Sequence, residues 1–81
     1  MTKPEILKDI QTIIEDRIGL SPEEVKMESN FTDDLGFDEL DLIEVIIDIE
    51  NKHKILIPDS ELAKVNTVSE IVDLVDLKIN N

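Results

Sequence analysis

The sequence predicts an all-α fold: a small four-helix bundle of three longer helices and one short one, with a long loop between the first two. Three observations carry this expectation. A hydroxyl residue stands three places before a glutamate at Thr2–Glu5, Ser21–Glu24 and Thr67–Glu70, the spacing of a helix-opening capping box. Aliphatic residues recur at intervals of three and four after Thr2 and after Thr67, and again in the middle of the chain. β-branched residues are common, yet no alternating run is long enough to read as a strand.

The first helix is predicted over residues 3–18. Pro4 lies in its first turn, Ile6, Leu7, Ile10, Ile13, Ile14 and Ile18 share one face, and Gly19 supplies the left-handed stop. A connection follows over residues 19–37, with one helical turn at Ser21-Pro22-Glu23-Glu24 and with Val25, Phe31 and Leu35 as its anchors to the core. A loop of this length in a compact domain points to function or to packing by its own side chains. Asp38 then caps a second helix over residues 39–52, and Lys52, His53 and Lys54 complement the dipole at its far end, where His53 reads as a surface residue. Ile55 and Ile57 lead to Pro58, and Asp59-Ser60-Glu61-Leu62 predicts the short third helix. The last helix opens at Thr67 and turns Ile71, Val72, Leu74, Val75 and Ile79 inward. The expected core is Leu7, Ile10, Ile14, Phe31, Leu35, Leu42, Ile46, Ile49, Ile71 and Val75.

A chain of 81 residues has room for one core, so residues 1–81 are expected to form a single domain. Phe31 and Phe37 are its two aromatics, and aliphatic residues must do nearly all the packing. The absence of cysteine removes disulfides, thiolate catalysis and cysteine zinc sites. Twenty acidic residues against eight basic ones give a net charge of −12. Such a chain is repelled by nucleic-acid phosphate and anionic lipid, and suits basic protein surfaces or cations. No stretch approaches the roughly 20 apolar residues of a membrane span. No apolar segment of a signal peptide follows Met1-Thr2-Lys3-Pro4-Glu5. A cytoplasmic monomer that binds neither nucleic acid nor membrane is expected.

Catalysis is not expected. His53 is the one histidine and lies at the opposite end of the second helix from Glu39, so no nucleophile–base pair is evident. A calcium loop with Gly36 at its sixth position would put Phe31, Leu35 and Leu42 at ligand positions, and none of them can ligate. No glycine-rich phosphate loop exists, and no metal site is predicted.

On a helical wheel, Asp41, Glu44 and Asp48 fall within one narrow arc of the second helix. Leu42, Ile43, Ile46 and Ile49 lie opposite, flanked by Val45 and Ile47. Nine acidic residues and no basic one lie between Met27 and Asn51, so ion pairs along the helix cannot neutralise the ridge. A solvated face and a docking ridge for basic partners both fit this pattern. Glu39 points along the apolar seam at the mouth of the bundle, although the helix dipole alone also favours a glutamate there.

The stretch Phe31-Thr32-Asp33-Asp34-Leu35-Gly36-Phe37-Asp38-Glu39-Leu40-Asp41, then Glu44, Ile57-Pro58-Asp59 and Thr67-Val68, resembles the acyl carrier protein family over nearly the whole chain. The resemblance implies a small acidic four-helix bundle of fatty acid, polyketide or related acyl metabolism. In that family a serine between aspartate and leucine accepts 4'-phosphopantetheine from coenzyme A, and here the position is Glu39. The resemblance thus implies that cofactor for the family but none on this chain as written. It implies docking through Asp38, Leu40, Asp41, Glu44 and Asp48 onto basic surfaces of acyl-processing enzymes or of a phosphopantetheinyl transferase. Gly36 is expected to let the turn approach closely, and Leu40 to anchor the first turn. Ser29, Thr32 and Ser60 are nearby hydroxyls, but none opens the second helix. The alternative is a non-loading interaction or regulatory module that kept the carrier fold.

Overall fold

The computed structural model describes residues 1–80. They form α1 (Lys3–Ile18), a 3-10 turn at Pro22–Glu24, α2 (Glu39–His53), α3 (Asp59–Leu62) and α4 (Val68–Ile79). No strand forms among the described residues; one isolated antiparallel bridge joins Asn30 to Thr67. The element order and the long loop match the expected four-helix bundle.

Local chemistry sets the helix starts. Thr2 Oγ1 accepts the Glu5 amide at 3.3 Å and Glu5 Oε1 accepts the Thr2 amide at 2.8 Å, which pairs two donors that the first turn otherwise orphans. Thr67 and Glu70 repeat this at α4. Gly19 closes α1 at φ 89°.

α1 packs against both α2 and α4. Ile6, Ile10 and Ile14 from α1 meet Val45, Ile46 and Ile49 from α2 and Val68, Ile71, Val72 and Val75 from α4, all buried. This corrects part of the expected core: Leu7, Leu35 and Leu42 are only half-buried against it. Because α1 is covered on two sides, its deepest row is the i, i+4, i+8 line through Ile6, and Leu7 falls to the flank. Phe37 is a core residue absent from the expected set; its ring centroid lies 5.4 Å from that of Phe31, tilted by 43°.

The long loop is tied down by backbone hydrogen bonds. Ser69 N–H donates to Met27 O at 2.8 Å, Val68 N–H to Ser29 O at 3.0 Å, and Phe31 N–H to Asn66 O at 2.9 Å. Gln11 Nε2 reaches across from α1 to Val25 O at 2.7 Å. Asn30 Oδ1 accepts the amides of Thr32 and Asp33, closing the turn that follows.

His53 is not the surface residue that its position at the helix end predicts. Its side chain is 7% exposed, and Nε2 lies 3.4 Å from Asp9 of α1, which Lys52 also approaches at 3.3 Å. The end of α2 folds against α1 there, which sequence spacing does not reveal.

Two outcomes test this packing. Ile46→Ala should destabilise the fold by about 2–5 kcal/mol in chemical denaturation, since it empties a central buried site; a loss below about 1 kcal/mol would place α2 in another phase. The second concerns acid. Hydrogen bonds from the Asn66 and Thr67 amides and the Thr67 hydroxyl hold Glu70 below its ordinary value of 4.5. Its contribution is therefore present above the unfolded value and fades as pH falls through the lower folded one. Glu70→Gln keeps a capping side chain without the titration, so its stability should fall less steeply than the parent's below about pH 4.5. Parallel acid profiles would contradict this.

Candidate functional site

The turn into α2 is built on Gly36, which adopts φ 70°. Nothing lies within 4 Å of where a Cβ would stand, so conformation, and not the expected close approach, calls for glycine here. Phe37 N–H then donates to Phe31 O at 2.9 Å and turns its ring into the core. Asp38 caps the helix: its Oδ1 accepts the Asp41 amide at 2.8 Å, and Asp41 Oδ2 accepts the Asp38 amide at 3.1 Å. Asp41 is therefore a capping partner as well as a ridge residue.

Glu39 is the first residue of α2 and is exposed. It stands at the lip of a cleft of about 510 Å³ between α2, α3 and the loop. Phe31, Phe37, Leu42, Leu62 and Val65 give the cleft an apolar lining, and Asp38 and Asp59 join Glu39 at its edge. A side chain at position 39 can thus lie outside or reach between the helices.

Two features of α2 differ from expectation. Leu40 does not anchor the first turn; it is 63% exposed. Ile43 and Ile47, placed by the wheel on or beside the buried arc, are 39% and 46% exposed. At 100° per residue the three fall within about 60° of each other and form an apolar strip beside the acidic ridge. The wheel could not separate them from the core, because only packing decides which part of a broad apolar arc is covered.

The ridge itself is partly neutralised from another helix. Arg17, in the last turn of α1, donates from Nε to Asp48 Oδ2 at 2.7 Å, from Nη2 to Asp48 Oδ1 at 3.1 Å and from Nη1 to Glu44 Oε2 at 2.8 Å. Sequence reasoning missed this because the partners are 27 and 31 residues apart. The pairing with Asp48, the larger influence, and then Glu44 raises the Arg17 pKa further above its usual value.

A family model described as "Phosphopantetheine attachment site" matches residues 8–75. An acyl carrier protein of Cyanidium caldarium is 43% identical over 81 residues, which is 100% of this chain and 94% of that one. The chain belongs to the acyl carrier protein family. Acyl carrier proteins of Wolinella succinogenes and Chlorobium phaeobacteroides are 41% identical over 71 residues and 37% over 75. These matches cover 88% and 93% of this chain, and 93% and 96% of theirs. Acyl carrier proteins carry and do not catalyse, and 4'-phosphopantetheine is the group the family implies.

The charge of this acyl carrier protein family member is far from balanced. Among the described residues no group of three or more His, Asp or Glu side chains is placed to hold a metal ion, and no helix is long and apolar enough to cross a membrane. Lys and Arg side chains reach Glu44, Asp48, Asp9, Glu61 and Asp73, while the net charge remains −12. Mobile ions screen such self-repulsion over about 8–10 Å at physiological salt. The melting temperature at neutral pH should therefore rise with added sodium chloride, and a flat or falling trend would contradict the account.

Proposed function

We propose that this chain is a carrier-type domain of acyl metabolism that docks basic partner enzymes through α2 but cannot take up phosphopantetheine as written. One observation carries the reading: the residue that opens α2, at the lip of the cleft, is an exposed glutamate. Attachment of the arm joins a phosphate to a hydroxyl oxygen. Glu39 offers a carboxylate, which lacks that hydroxyl and repels the incoming phosphate.

On this reading the residues present do not fit covalent attachment. Ser29 is buried, accepts the Lys26 amide at 3.0 Å and donates to Glu24 O at 3.4 Å. Ser60 sits in α3, and Thr32 lines the cleft from the loop without opening a helix. The docking role falls to Asp38, Leu40, Asp41, Glu44 and Asp48, supported by the exposure of Leu40 beside Ile43 and Ile47. Charge on such a face sets encounter rate and orientation, and the apolar strip adds contact area.

Intact mass after incubation with coenzyme A and a broad-specificity phosphopantetheinyl transferase tests the reading. The parent should keep its mass, and Glu39→Ser should gain the arm. The variant's stability should change by no more than about 0.3–1 kcal/mol, the contribution of a first-turn carboxylate to the dipole. Modification of the parent would identify another hydroxyl as acceptor. A serine variant that stays unmodified would favour an interaction module that kept only the fold.

A further inference from the structure

We propose that Arg17 is a specificity-determining residue of the docking face, because it already occupies two of the three carboxylates of the acidic ridge, Glu44 and Asp48. The inference rests on the docking reading above and adds which carboxylates a partner meets. Arg17 takes both oxygens of Asp48 along one edge of its guanidinium, through Nε and Nη2, and Glu44 through the other terminal nitrogen. Those two carboxylates thus carry an intramolecular cation where a partner's base would go. Among the described residues no Lys, Arg or His pairs with Asp38, Glu39 or Asp41. The unneutralised charge lies at the start of α2, beside Leu40 and Ile43.

The fitting partner is a protein surface with bases set for Asp38, Glu39 and Asp41, and an apolar patch for the Leu40–Ile43–Ile47 strip. A partner whose bases are set for Glu44 and Asp48 must first displace Arg17. The Arg17, Glu44 and Asp48 side chains are 38%, 39% and 30% exposed, so this displacement discriminates between partners and does not forbid binding.

Residue-resolved NMR titration of the full chain with a hexalysine peptide tests this. In the parent the largest shift changes should centre on residues 38–41. Arg17→Gln should extend them to residues 44 and 48 and tighten binding by about two- to fivefold, the range of one or two exposed pairs. Adding E44Q and D48N to R17Q should return the affinity to near the parent value. R17K, which keeps the charge without the fork, should fall between. Lys64→Gln alters net charge equally and should leave the map unchanged. If the peptide moves residues 44 and 48 in the parent as strongly as 38–41, or if R17Q neither extends the map nor tightens binding beyond K64Q, the Arg17 proposal fails and the docking reading stands. If no variant shows any preference for α2, the docking reading itself fails.

Discussion

The site depends on a backbone clamp between the loop and the start of α4. Three hydrogen bonds, from Ser69 to Met27, Val68 to Ser29 and Phe31 to Asn66, join segments 35 to 42 residues apart. Each loop polar group left buried without a partner would cost about 1–3 kcal/mol. With the clamp made, Phe31 enters the core, its carbonyl receives the Phe37 amide, and Phe37 packs on its ring. That fixes where the chain turns at Gly36, and hence where α2 begins. Glu39 inherits its place at the cleft from bonds it does not make.

α2 then divides its circumference among several tasks. Val45, Ile46 and Ile49 join the core, and His53 closes the far end against Asp9. Asp38 and Asp41 satisfy each other's amides at the start. Glu44 and Asp48 hold Arg17, and Leu40, Ile43 and Ile47 face outward. A helix so rich in carboxylate tolerates its charge because some of the acids cap the helix and others are paired across to α1.

Much of this was legible in the sequence where the chemistry is local. The boxes at Thr2 and Thr67, the stop at Gly19 and the cap at Asp38 each involve residues within a few places of one another. The position of Glu39 as the first residue of α2 was legible for the same reason, since Asp38 beside it caps the helix. The reciprocal bond of Asp41 was hidden because aspartate, not the usual glutamate or glutamine, fills that box position. Arg17 with Asp48, and His53 with Asp9, were hidden because helix packing alone brings them together. Phe37 and the Leu40–Ile43–Ile47 strip needed the same knowledge: an apolar residue is buried or exposed according to what lies over it.

Native-state hydrogen exchange at the Phe31, Val68 and Ser69 amides tests most directly whether the loop is built into the fold and so presents Glu39 at a fixed place. The account predicts protection at these three amides close to that of the α1 core, lost only with global unfolding. Exchange at the rate of an open loop, while α1 stays protected, would contradict it, because the start of α2 would then have no fixed position over the cleft.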